Sequence, residues 1–189
     1  MTEDPLYPEG IPNPPDSLGK QVKSWLRDVL ETVLPALVIV FVVNMFLAQA
    51  TRVEGQSMEP NLYNDQRLII EKISYHFHKP RHGDIVVLKL PNRPGPPLIK
   101  RVIGLPGESV EIRQGHVYIN GQLLDEHYVN QLTFSSHASE VVPEDGVFVL
   151  GDNRGFSSDS RAFGTVRLEY IIGRAWFRYW PPEDIGFVR

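Results

Sequence analysis

Residues 32–51, TVLPALVIVFVVNMFLAQAT, carry no formal charge and show no regular spacing of polar positions. A helix of that length rises about 30 Å, the thickness of a bilayer core, and Pro35, Asn44 and Gln49 are tolerated in such a segment. The preceding stretch, 20–31, reads as a short amphipathic helix leading into it, with Trp25 at the interface. Residues 1–19 read as a disordered tail, because Pro5, Pro8, Gly10, Pro12, Pro14 and Pro15 prevent regular structure. After the apolar run the hydrophobic period shortens to that of strands. The runs 67–73, 84–90, 98–105, 109–113, 116–120, 146–150 and 170–179 are the candidates. Turns are predicted at 92–96, at Pro106-Gly107 and at Asn120-Gly121, the last a hairpin signal. No βαβ spacing occurs. The expectation is a mainly β fold, an antiparallel and partly closed sheet preceded by one transmembrane helix. The predicted organisation is a tail and lead-in over 1–31, a span over 32–51, and a β domain over 52–189 with a small insertion around 111–145.

Charge sets the expected orientation. Lys20, Lys23 and Arg27 precede the span closely, whereas Arg52 alone follows it immediately. This bias places the N-terminus in the cytoplasm and residues 52–189 outside. Ala48-Gln49-Ala50 also has the small-x-small form of a cleavage site, but the Pro-rich leader is unlike a short basic n-region. Net charge is −4 and no basic run occurs, which argues against nucleic-acid binding. There is no cysteine, which excludes disulfides, a thiol nucleophile and cysteine metal sites. Fifteen glycines and sixteen prolines suit a turn-rich β fold.

Two residues carry the candidate chemistry. Ser57 lies in Gly55-Gln56-Ser57-Met58-Glu59-Pro60, a turn-forming stretch able to expose a hydroxyl and a backbone N–H. Lys100 lies in an otherwise apolar strand, where Leu98, Lys100 and Val102 share one face. A single lysine ordinarily reaches for solvent. Burial on that face would instead lower its pKa and leave a neutral amine able to take the Ser57 proton. A third segment, 151–161, gathers acids, arginines and serines in one loop. None of His76, His78, His82, His116, His127 and His137 sits in a recognisable base context, and the cluster at 76, 78 and 82 reads as a wet basic loop rather than a zinc site.

Taken together, four segments in order resemble bacterial-type signal peptidase I, a membrane-bound Ser-Lys protease family. Ser57-Met58-Glu59-Pro60-Asn61-Leu62 resembles its nucleophile box, and His82-Gly83-Asp84-Ile85-Val86-Val87 the strand box that follows. Residues 100–108, KRVIGLPGE, resemble the general-base box, and 151–161, GDNRGFSSDSR, the last box. The resemblance implies Ser57 as nucleophile, Lys100 as general base and Ser157 as the residue that orients the amine. It implies bracing ion pairs from Arg101, Asp152, Asp159 and Arg161. The Ser57 N–H, with backbone help from Gly55, would form the oxyanion hole. Gln56, Met58, Pro60 and Ile99 are the expected substrate contacts. Two positions depart from the pattern: Gly55 stands where some members carry a serine, and Asn61 where a threonine is common.

The implied activity is endoproteolytic removal of N-terminal signal peptides after small-x-small motifs, without metal or cofactor. The implied partners are the signal-peptide region of preproteins and the lipid bilayer; no oligomeric state follows. The implied location is the cell membrane, single-pass, with the β domain extracytoplasmic, and a thylakoid membrane is the alternative. Trp176, Phe177, Tyr179 and Trp180 would either fill the core of the last strand or rest on the bilayer. The rival readings are an inactive membrane-tethered peptide-binding domain and a different Ser-Lys peptidase.

Overall fold

The computed structural model describes residues 18–42, 48–131 and 136–188. Residues 1–17 of the tail expected over 1–19 lie outside that set, as do 43–47, 132–135 and 189, whereas Leu18 and Gly19 open a helix. The chain divides into an N-terminal unit ending at Val43 and a β unit from Asn44.

The N-terminal unit is helix α1 (Leu18–Val42). Its first half is held by local polar contacts: Arg27 Nε donates to Glu31 Oε1 at 2.7 Å, and Thr32 Oγ1 donates to the Asp28 carbonyl at 2.8 Å. From Val33 to Phe41 the side chains are apolar and exposed on every face. The lead-in and the start of the expected span therefore form one continuous helix. Among the described residues no helix is long and apolar enough to cross a membrane.

The end of the expected span is a strand. β1 (Ala48–Arg52) pairs antiparallel with β2 (Arg67–Glu71), from Ala48 opposite Glu71 to Arg52 opposite Arg67. The ladder satisfies the backbone of 48–52 through a distant strand, which apolar composition alone did not reveal. Arg52 adds a 2.5 Å ion pair to Asp65 on the connecting loop.

After β2 the chain forms α2 (Ser74–Phe77), β3 (Ile85–Leu88) and β4 (Leu98–Gly104). A small sheet follows from β5 (Ser109–Arg113), β6 (His116–Ile119), β7 (Gln122–Leu123) and β8 (His137–Val141). The chain then returns through β9 (Gly146–Leu150), α3 (Ser160–Phe163), β10 (Val166–Arg167), β11 (Ile171–Trp180) and β12 (Gly186–Phe187).

Every strand pairing is antiparallel. The large sheet has the order β1-β2-β11-β3-β4-β9-β10, with β12 also on β11; the small sheet has the order β7-β6-β5-β8. Register shifts along β11 and β4 bend the large sheet, as bulges do. The Asn120-Gly121 turn joins β6 to β7, as the sequence predicts.

Alternation along the strands separates the core into clusters. Val53, Met58, Leu62, Leu68, Ile70 and Ile99 form one beside the nucleophile loop. Val86, Leu88, Val102, Val147 and Val149 form a second. Ile103, Val110, Ile112 and Phe148 form a third, which joins the small sheet to the large one. On β11, Trp176 and Trp180 are exposed, while Phe177 and Tyr179 are half-buried.

Candidate active site

Ser57 sits on the loop between β1 and β2, and that loop is pinned at several points. The Gly55 N–H donates to Asn64 Oδ1 at 2.8 Å, and the Leu62 N–H donates to the Met58 carbonyl at 2.9 Å. Met58 and Leu62 are each 1% exposed and anchor the loop in the core. From the other side, the Asn153 N–H donates to the Ser57 carbonyl at 3.0 Å. The nucleophile is thus held by its backbone, which leaves its side chain free to react.

Lys100 enters from β4, an interior strand flanked by β3 and β9. It lies opposite Val86 and is 2% exposed. Its Nζ is 2.7 Å from Ser57 Oγ and donates to the Ile99 carbonyl at 2.9 Å. Burial pushes its pKa down from 10.5 to about 8. The Asp159 and Asp152 charges pull it back up, while Arg93 and Arg161 push it further down. The result is an amine that is substantially neutral at mildly alkaline pH, in contact with a hydroxyl.

Two buried ion pairs frame this contact. Arg101 forks onto Asp152, with Nε to Oδ1 at 2.8 Å and Nη2 to Oδ2 at 2.7 Å. Its guanidinium also stacks 4.1 Å above the Tyr128 ring. Asn61 Nδ2 donates to Asp152 Oδ2 at 2.9 Å and to the Tyr128 carbonyl at 2.8 Å. Asn61, the departure from the family pattern, therefore ties the nucleophile loop to this pair. In the second pair, Arg161 reaches both Asp159 oxygens at 2.8 Å, and the Gly151 N–H donates to Asp159 Oδ2 at 3.0 Å. Burial works to raise the Asp159 carboxyl, but Arg161 and the Gly151 N–H outweigh it and hold it below its usual range.

A third brace was not legible from the sequence. Buried Arg154 forms a close ion pair with Glu126, and its Nε donates to the Gly151 carbonyl at 3.0 Å. His82 stays exposed but is fixed at both ring nitrogens, Nδ1 2.7 Å from the Ile103 carbonyl and Nε2 3.0 Å from Glu108.

Several expected roles change at this level. Ser157 lies in the site, where its buried hydroxyl helps hold the Asp159 carboxyl low; the Lys100 amine donates to the Ile99 carbonyl rather than to Ser157. Gly55 has its N–H engaged by Asn64, so the donor to a developing oxyanion must come from elsewhere. Met58 is core and faces no solvent, which removes it from the substrate contacts. Gln56 is exposed, Pro60 is half-buried and Ile99 is buried beside the base.

The family model "Signal peptidase, peptidase S26" matches residues 26–180. The signal peptidase I of Leptolyngbya laminosa is 41% identical, covering 97% of this chain and 94% of that one. A probable signal peptidase I-2 of Synechocystis sp. is also 41% identical, over 87% of this chain and 78% of its own length. Signal peptidase I P of Bacillus subtilis subsp. natto is 34% identical over 88% of this chain and 95% of that one. A match of this breadth, from within α1 to the end of β11, establishes that the chain belongs to the signal peptidase, peptidase S26, family.

Proposed function

We propose that the chain is a serine endopeptidase that removes signal peptides from preproteins, with Ser57 as nucleophile and Lys100 as general base. The observation that carries this reading is the 2.7 Å contact between a buried amine and a hydroxyl with no histidine involved. The neutral amine accepts the Ser57 proton as Oγ attacks the scissile carbonyl. The ammonium so formed protonates the leaving amine, and the peptide C–N bond breaks. Lys100, neutral again, then takes a proton from water, whose oxygen attacks the acyl-serine ester; as the ester C–Oγ bond breaks, the ammonium returns that proton to Ser57 Oγ.

The developing oxyanion needs an N–H donor. No protein acceptor among the described residues takes the Ser57 N–H, so it is free for that use. Gly55 then serves the turn rather than the hole. Ser157 stands within the site as a candidate partner for the amine during turnover. Gln56, Pro60 and Ile99 border the path of an extended substrate, which pairs with backbone beside Ser57.

The chain is anchored in a lipid bilayer through the part of its uncharged run that precedes β1 in sequence, with its N-terminus cytoplasmic and the β unit extracytoplasmic. Anchoring places the site where membrane-held substrates emerge. Cleavage of a preprotein in detergent by wild type, Ser57→Ala and Lys100→Met tests the chemistry. Product from the wild type alone is expected. Unchanged cleavage by Lys100→Met, in a folded protein, refutes the lysine base.

A further inference from the structure

The register of β1 places a second feature at the point where the chain enters the sheet. Ala48, the first residue of β1, lies opposite Glu71, the last residue of β2. Three residues after Glu71 the chain forms α2 and then the loop to β3. The apolar run therefore delivers the chain to the same end of the sheet that carries the 72–81 segment. The other end of β1, Arg52 opposite Arg67, lies about 14 Å away along the strand direction.

At the near end, Phe77 is 80% exposed, the highest value for a large hydrophobic among the described residues. It borders a shallow hollow shared with Tyr75, Pro80, Leu168 and Ile171. Lys79 and Arg81 follow it, both exposed. Neither pairs with a carboxylate among the described residues. The acids of this region are turned inward. Asp84 accepts from Tyr75 Oη at 3.1 Å and from the Arg81 N–H at 3.0 Å, and faces Arg174 at 3.5 Å. Glu71 Oε1 accepts the Ser74 N–H. What remains outside is one protruding aromatic ring beside two uncompensated cations. That combination suits the boundary between acyl chains and anionic headgroups, where the ring is buried and the cations meet phosphate.

We propose that the α2 loop, through Phe77, Lys79 and Arg81, docks on an anionic lipid surface as a second membrane contact. This rests on the anchored reading above and extends it from the helix to the β unit. The contact tethers the sheet at its chain-entry end and limits how far the β unit tilts away from the bilayer. Two cations near an anionic surface favour the docked state by roughly 30-fold at low salt.

The absence of native cysteine makes the test clean. Phe77→Cys and, as a reference on the small sheet, Leu123→Cys are spin-labelled in the full chain and reconstituted into phosphatidylglycerol-containing or pure phosphatidylcholine vesicles. Label depth is read from oxygen and nickel-chelate accessibility, and insertion from resistance to carbonate extraction. The label at 77 is expected in lipid in anionic vesicles, and in water in neutral vesicles, at high salt, or with Lys79→Glu and Arg81→Glu present. The label at 123 is expected in water throughout. A carbonate-resistant chain with the 77 label in water in anionic vesicles overturns this proposal alone. Equal burial in neutral vesicles overturns its electrostatic basis. A chain extracted by carbonate overturns the anchored reading, and this proposal with it.

Discussion

Gly151→Ala is a one-carbon change at the tightest approach in the site. A Cβ at this position would lie 2.5 Å from the Ser57 carbonyl oxygen and 2.5 Å from Ser157 Cβ, with Ser157 Oγ closer still. An ordinary carbon–oxygen contact needs about 3.3 Å, so a gap of roughly 0.8 Å must open. Neither side retreats easily. The Ser57 carbonyl accepts the Asn153 N–H, and its loop is anchored by Met58 and Leu62. Gly151 is itself tied through its N–H to Asp159 and through its carbonyl to Arg154. A nucleophile displaced by close to 1 Å loses about 100-fold in rate. Overpacking of this kind costs about 1–3 kcal/mol of stability. Gly151→Ala is therefore expected to fold with a lowered Tm, and to lose about 100-fold in kcat/KM, mostly in kcat. The assay is steady-state cleavage of a preprotein in detergent beside thermal unfolding. Adding Ser157→Gly removes the contacts to Ser157 but not the one to Ser57, so a partial recovery of Tm separates the two. Cleavage within about threefold of wild type at unchanged Tm would refute the reasoning, because the site would have absorbed a displacement expected to be costly.

Other expectations follow from the charges around the base. Cleavage should rise with pH through about 8, because Lys100 must lose its proton, and should fall about tenfold per unit below that. Arg93→Gln removes a positive charge that disfavours the ammonium, so the rising limb should move to higher pH; an unmoved limb in the pH–rate profile would count against the electrostatic account. By linkage, the unfolded chain keeps the Lys100 proton up to about 10.5 while the folded chain sheds it near 8, so this group makes stability rise with pH across that window. Lys100→Met should lack that slope in denaturant titrations. Asp152→Asn leaves Arg101 buried and short of its countercharge, and should cost about 3–5 kcal/mol in denaturant unfolding, whereas a loss under about 1 kcal/mol would show the pair to be dispensable. Gly55→Ser should retain cleavage with a Tm lowered by a few degrees, since its Cβ meets no atom within 4 Å and only the φ of +84° is strained; complete inactivity would contradict the placement of this turn.

The strands that the sequence made legible are those rich in β-branched residues and bounded by turns: β2, β3, β4, β5, β6, β9 and β11. β1 was not, because Ala48–Thr51 continue an uncharged run and only pairing with Arg67–Glu71 makes them extended. The Gln114-Gly115 turn between β5 and β6 adopts φ of 50° and 84°, yet glutamine is no strong turn former, and the two-residue gap between predicted strands was its only trace. Ser57 and Lys100 were legible because each sits in a local motif. The bracing by Arg101, Asp152, Asp159 and Arg161 was expected from the resemblance, but the contacts of Asn61 and Glu126 were not, since Asn61 and Asp152 are 91 residues apart and Glu126 and Arg154 are 28 apart. Met58 illustrates the opposite error: adjacency to the nucleophile suggested a substrate contact, while loop geometry turns its side chain into the core.

The position of β11 sets the order in which activity can arise during synthesis. It lies between β2, which follows the nucleophile loop, and β3, which leads to the strand of the base. Until β11 has emerged from the ribosome, the two halves of the sheet share no central seam, and hydroxyl and amine belong to separate, unjoined pieces. A nascent chain is thus catalytically silent through most of its translation, and premature termination before residue 171 yields an inert fragment rather than an unregulated protease.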